Sequence, residues 1–311
     1  MTNSLGWDEL HNQLLNWTYS LYMNQFSGYA HLSNLGYFGR PDPTLEIEQN
    51  SKKKTVTPDF IATDKKEIVQ IHDIKGFEKL MQRKNDNDIA EKIEQEFQKI
   101  SDYRNVTKAS IKSFFSKHKI DLKNITIELI AVMDFDFYIR HKKAIDSCAK
   151  KSNIIIWTID TNQKRIRKHA IHHLDKKLDQ IFKPSIVLPI QPRCPILVLF
   201  TRQTDRRVKT YHFTANLISA LVQNSQKSVK FSEIDNIMVH SSPPKYAHLV
   251  PDEREKEWIT FLFEAINRDK ILKKSEKGPD MYELQNPAIL ESPYSANKLL
   301  EDLSRKLRII K

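Results

Sequence analysis

The chain has 311 residues, 40% of them hydrophobic, and carries a formal net charge of +11 with a pI near 9.4. Length and apolar content suit two soluble domains with real cores, and the longest apolar runs, 154–159 and 196–200, are strand-sized and too short to span a bilayer. Six glycines and no Walker-type phosphate loop argue against nucleotide hydrolysis, while the positive charge favours a polyanionic partner.

The opening MTNSLGWDEL has neither a basic start nor an apolar signal core, so an intracellular, cytoplasmic location is expected. Residues 7–35 read as helix-rich, with Trp7, Leu10, Leu14, Leu15, Trp17 and Leu21 near helical spacing and interruptions at Gly28 and Gly36. Three strands follow at 44–48, 57–62 and 68–74, then a helix over 77–104 and a further one over 108–118. Strands at 124–133 and 153–160 enclose a helical stretch over 137–151. This order predicts a mixed α/β core. Cys148 and Cys194 stand far apart with no histidine at ligand spacing, which fits thiols in a reducing compartment and no structural zinc.

Pro184, Pro189, Pro192 and Pro195 mark a connector. Domains are therefore expected at 1–183 and 213–311, joined by a proline-rich, basic segment at 184–212. In the second domain, helices over 217–222, 231–239 and 253–267 precede strands at 271–272 and 281–284. The turn between those strands holds Lys273, Lys274, Lys277, Gly278 and Pro279. That is the order of a winged helix with a basic wing, followed by an amphipathic tail helix at 295–310.

The most informative stretch is TPDFIATDKKEIVQIHDIKG, residues 57–76. Side chains alternate along a strand, so Val69, Ile71, Asp73 and Lys75 share one face while Gln70, His72 and Ile74 share the other. Asp59 at the head of one strand and Asp73 with Lys75 at the end of the next bring two carboxylates and an amine to one edge of a hairpin. Such a cluster binds a divalent cation and activates water. Other Pro-Asp pairs and Asp-x-Lys triplets occur, but only Pro58-Asp59 runs directly into an apolar strand and only Asp73-Ile74-Lys75 closes an alternating one.

On these residues the chain resembles the PD-(D/E)xK nuclease superfamily, with Pro58-Asp59 and Asp73-Ile74-Lys75 as its two motif elements. The resemblance implies a restriction-endonuclease-like mixed-sheet core flanked by helices, and a Mg²⁺-dependent endonuclease in which Mn²⁺ substitutes. It implies Asp59, Asp73 and the Ile74 carbonyl as metal ligands. A glutamate from the first helix is a further ligand in many members and is carried over to Glu9, with Glu46 and Glu48 as alternatives. Lys75, flanked by acids, stays protonated and stabilises charge instead of acting as a base. A trailing winged helix resembles the endonuclease subunit of heteromeric transposases. Gln98 and Tyr103 loosely resemble a helical Gln and Tyr of some relatives, but ordinary helix-face roles suit them better.

Positive charge concentrates between residues 139 and 209, which hold 17 Lys and Arg against five Asp. Lys164, Arg165, Arg167 and Lys168, then Arg206 and Arg207, then Lys273, Lys274 and Lys277 in the wing, are candidate phosphate contacts. DNA is favoured over RNA as the substrate, and an inactive nuclease-fold scaffold is the rival reading. Residues 251–270 carry six acids against four bases, so the third helix of the C-terminal domain suits a protein partner or homodimer as well as it suits DNA. Asp134 and Asp136 follow a strand and share a face, so they either reach the same metal or, the preferred reading, simply end the strand. His169, His172 and His173 form a cluster in a basic segment expected to be helical, without an acidic or cysteine neighbour for metal binding.

Overall fold

A computed structural model describes residues 9–22, 32–49, 52–76, 86–160, 162–183, 185–187, 200, 204–240, 245–246 and 249–307. Its contacts divide the chain into two units, Asp8–Ile196 and Leu197–Lys311. Both combine helices with sheet, so the protein is mixed α/β. Among the described residues no helix is long and apolar enough to cross a membrane.

In the first unit α1 (Glu9–Ser20) precedes β1 (Phe38–Pro41), β2 (Leu45–Gln49), β3 (Lys52–Val56), β4 (Phe60–Thr63) and β5 (Ile68–Lys75). Then come α2 (Asp86–Asp102), α3 (Lys108–Ser116), β6 (Thr126–Asp134), α4 (Phe135–Arg140) and α5 (Lys142–Ser152). β7 (Ile155–Asp160), β8 (Arg165–His169), α6 (Lys176–Ile181) and β9 (Ile186–Val187) complete it. Seven strands form one sheet in the order β1-β4-β5-β6-β7-β8-β9. β5, β6 and β7 are parallel neighbours and the remaining pairs are antiparallel. Parallel neighbours require crossovers, and the two here carry α2 with α3 and α4 with α5. All four helices pack on one face, where Ile93, Phe97, Ile111, Phe115 and Ile145 meet Ile61, Val69, Ile71, Leu129, Ala131 and Ile156. Along α2 the buried residues Ile89, Ile93, Phe97 and Ile100 recur every three to four positions, which makes it an amphipathic helix with Glu and Lys turned outward.

Two expectations are corrected. The 44–48 strand, read as the first of three successive strands, stands outside the main sheet: β1 lies beside β4, and β2 pairs with β3 in a separate two-stranded ribbon. The basic segment 165–169 is a strand and not a helix: Ile166 is buried between the more accessible Arg165 and Arg167, a period of two, and the segment pairs residue for residue with β7. The helix expected over 77–104 is observed from Asp86, and residues 77–85 lie outside the described residues.

The close approach of β1 depends on Gly39. A Cβ there would stand 2.5 Å from the Phe60 ring and 2.8 Å from that of Tyr22.

In the second unit α7 (Arg206–Gln223), β10 (Ser228–Lys230), α8 (Phe231–His240), α9 (Pro251–Asn267), β11 (Leu272–Lys274) and β12 (Met281–Leu284) precede α10 (Pro293–Lys306). α7 begins at Arg206, capped by Asp205, so residues 206–212 are helix where a connector is expected. The strands are ordered β10-β12-β11. Phe213, Trp258, Phe261 and Tyr246 form an aromatic core, and Asp235 fixes α8 against α9 by accepting from Arg254 at 2.7 and 2.9 Å and from Trp258 Nε1 at 3.0 Å.

Candidate active site

β4 and β5 are registered with Phe60 opposite His72 and Ile61 opposite Ile71. One further step puts Asp59 opposite Asp73, and residues directly opposite share a face. Two like charges in that position repel unless something stands between them. Here both carboxyls are buried and joined by a hydrogen bond. Burial, and after it the Asp59 charge, outweigh the pull of Lys75 and push the Asp73 pKa up to about 7. Asp59 is displaced the other way: burial opposes its ionisation, but the bonds from His11, Asp73 and the Ile74 amide hold it below the usual carboxylate range.

His11, a residue not singled out in the sequence, reaches this pair from α1. Its Nε2 lies 3.2 Å from Asp59 Oδ1, and both side chains are buried. α1 covers the sheet face opposite Asp73, where Tyr19 and Tyr22 pack on Phe60, yet through His11 it reaches round the strand ends to Asp59. Glu9, the residue carried over from the family pattern, opens α1, and its side chain lies outside the described residues. Glu46 is half exposed on the ribbon beside Lys53 at 3.7 Å, and Glu48 is exposed there too.

Lys75 Nζ stands 2.7 Å from Asp73 Oδ2 and 2.8 Å from Glu96 Oε2. Burial disfavours the ammonium, but the two acids outweigh it and hold the Lys75 pKa above the ordinary lysine range. Glu96, on α2, also accepts from Lys99 at 2.8 Å and pairs with Lys92 at 3.1 Å; despite burial, these cations lower its pKa to about 2. Tyr103, just beyond α2, is half-buried, and burial together with the Asp73, Asp59 and Glu96 carboxylates raises its pKa. Gln98 is exposed and donates to Asp102 at 3.3 Å.

Ile74 enters this site through its amide, which donates to Asp59 Oδ2 at 2.6 Å.

The back face of β5 carries a different set of polar groups. Tyr22 Oη donates to Gln70 Oε1 at 2.9 Å and lies 3.2 Å from His72 Nε2. Gln70 Nε2 donates to Glu128 Oε2 at 2.8 Å, which is 3.2 Å from His173 Nδ1, and Trp157 Nε1 donates to His173 Nε2 at 3.0 Å. His72 Nδ1 is buried without a hydrogen-bond partner among the described residues, and burial, with His173 nearby, lowers the His72 pKa to about 3.

The remaining candidates separate. His173 has an acidic partner in Glu128, and exposed His172 lies 2.8 Å from Asp179, acids that no local spacing announces. His169 stacks on Tyr138 at 4.2 Å and meets Thr158 Oγ1 at 2.8 Å. Asp134 caps α4 by accepting from Phe137 N at 3.1 Å. Arg167 pairs with Asp160 at 3.3 Å, and Lys168 pairs with Asp179. Arg206 pairs with Glu264 at 2.5 Å, Arg207 with Asp205 at 2.7 Å and Lys273 with Glu283 at 3.7 Å. Arg165 donates to Ser185 at 3.1 Å. Lys164, Lys274 and Lys277 are exposed, with no carboxylate partner among the described residues.

Among the described residues, no group of three or more His, Cys, Asp and Glu side chains is arranged to hold a metal ion. The donor chemistry nevertheless fits one. Asp59 and Asp73 offer hard oxygens, His11 adds an imidazole nitrogen, and a divalent cation would relieve the repulsion between the two opposed carboxyls.

No protein-family model, curated protein or solved structure matches this chain.

Proposed function

We propose that the chain is a divalent-metal-dependent DNA endonuclease of the PD-(D/E)xK type. One observation carries this reading: two buried aspartates face one another across a hairpin end, with a charge-fixed lysine 2.7 Å from one of them. A purely structural hairpin gains nothing from opposed buried acids. The sheet is compatible with it, since the resemblance implies a mixed-sheet core flanked by helices and the hairpin here is followed across helices by further strands of one mixed sheet.

In this reading Asp59, Asp73 and the Ile74 carbonyl hold Mg²⁺ or Mn²⁺, and His11 either adds a ligand or orients Asp59. The metal supplies charge stabilisation and a water of lowered pKa. Lys75 keeps its proton and presents a cation to the scissile phosphate, while Glu96 holds the amine in place. Tyr103 keeps its phenolic proton and serves as a donor at the edge.

The second unit supports a winged-helix-like module, in the order helix, strand, two helices and two strands. On α9, Ile259 and Phe263 are 55% and 66% exposed, one turn apart, in a segment with excess acid. These favour a protein partner or a second copy on that helix and leave DNA to the first unit.

The test is cleavage of supercoiled plasmid by the wild type and Asp73→Ala with Mg²⁺, Mn²⁺ or EDTA. Metal-dependent nicking that disappears in the variant is expected. Cleavage that survives in Asp73→Ala, or that proceeds in EDTA, removes the reading.

A further inference from the structure

The β2–β3 ribbon stands outside the main sheet. Two-stranded ribbons are marginal by themselves, and this one is held at its root. Leu45 and Ile47 are buried in the same core as Phe97 and Ile100 of α2. Ile47 bridges to Val106, Thr107 N donates to the Glu46 carbonyl at 2.8 Å, and Glu46 N donates to Ser110 Oγ at 2.8 Å. The ribbon is thereby fastened to the segment that begins with Tyr103, whose phenol feels the charges of Asp73, Asp59 and Glu96.

Its two faces differ. Leu45 is opposite Val56, Ile47 opposite Lys54, and Gln49 opposite Lys52, so these six residues share the face that packs on the core. That face is apolar at the root and cationic toward the end. The acids Glu46 and Glu48 lie on the other face with Thr55 and Lys53. Lys52 and Lys54 are exposed, and among the described residues neither has a carboxylate partner, whereas Lys53 is 3.7 Å from Glu46. The arrangement leaves unneutralised charge where the ribbon extends beyond its apolar anchor.

We propose that the β2–β3 ribbon is a phosphate clamp for duplex DNA, with Lys52 and Lys54 contacting the backbone beside the cleavage site. This rests on the nuclease reading for its substrate. On this proposal the lysines act on binding rather than on the chemical step.

The test measures binding of duplex DNA in EDTA as a function of salt, for the wild type, for Lys52→Ala with Lys54→Ala, and for a control that removes equal charge from α6, Lys176→Ala with Lys177→Ala. Each phosphate contact contributes about 0.9 to the slope of log affinity against log salt. The ribbon variant is expected to lose about 1.8 from that slope, the control to keep the wild-type slope, and the cleavage rate at saturating DNA to be unchanged. An unchanged slope in the ribbon variant overturns the clamp, as does an equal loss in the control. Edge lysines also discourage strand-to-strand aggregation, so a ribbon variant that aggregates while keeping the wild-type slope counts against the clamp as well. Loss of slope on duplex RNA alone overturns the DNA assignment. Because binding is read without metal, a protein that never cleaves refutes the nuclease reading, while the salt slope still decides for or against the ribbon.

Discussion

Replacing Asp73 by asparagine should change how the stability of the metal-free protein depends on pH. In the unfolded chain Asp73 loses its proton near 3.8, but in the fold it holds it to about 7. Between those values the folded state binds the extra proton, so the contribution of Asp73 is fully present below pH 3.8 and is lost as pH rises to about 7. A displacement of roughly three units at about 1.4 kcal/mol each gives an upper limit of about 4 kcal/mol. Histidines act in the opposite direction. Burial lowers His72 to about 3 and His118, His169 and His212 to about 4, so they favour folding more as pH rises through their unfolded value of 6.5. The difference between wild type and Asp73→Asn cancels these histidine contributions, and that of Asp59 changes only below pH 3.8, because its folded pKa is the depressed one. Urea unfolding of both proteins in EDTA at pH 5, 6, 7 and 8 is the assay. Relative to the variant, the wild type should lose about 2 kcal/mol or more across that range, and Mg²⁺ should restore more stability at pH 8 than at pH 6, since the cation displaces the proton. Parallel profiles for the two proteins would refute the argument that the carboxyls share a proton.

Glu96→Gln removes one of the two acids that hold Lys75; the cleavage rate at saturating metal should fall about 10- to 100-fold, as for other groups that orient a site residue, with folding retained, and a rate within twofold of wild type would detach Glu96 from the site. Gly39→Ala drives a methyl into the Phe60 and Tyr22 rings at 2.5 to 2.8 Å, which should cost about 1–3 kcal/mol in denaturant melts; a neutral result would mean that β1 can move aside. Gln70→Leu leaves Glu128 without one donor and removes the Gln70 acceptor of Tyr22, which keeps only His72 Nε2 at 3.2 Å, with an expected loss of about 1–3 kcal/mol, read by the same melts at pH 7.

The core hairpin is legible in the sequence because β4 and β5 combine alternation with clear boundaries, and Asp59, Asp73 and Lys75 sit where those strands end. The ribbon is not. KKKTV in β3 has one apolar residue and no periodicity, so its pairing with β2 comes from the buried Leu45 and Ile47 on the partner strand. β8 reads as a helix because Ile166 alone marks its inner face. His11 and Glu96 escape a sequence reading for a related reason. A lone histidine early in a helix, and one glutamate among several on α2, carry no local sign of what the fold sets beside them. Their partners are distant in sequence, and only the sheet register and helix docking bring them near.

β5 faces two ways, and the faces constrain each other. Gln70 and His72 reach Tyr22 and Glu128 through hydrogen bonds or close contacts that one alignment of the strand satisfies. A slip of one residue would turn Asp73 and Lys75 into the packed back layer and expose that network's members to apolar neighbours. The buried polar layer thus works as a ratchet pawl for the strand: whatever it contributes to stability, it rejects the misaligned pairing, so two acids that repel can be held opposite one another without the hairpin shifting to separate them.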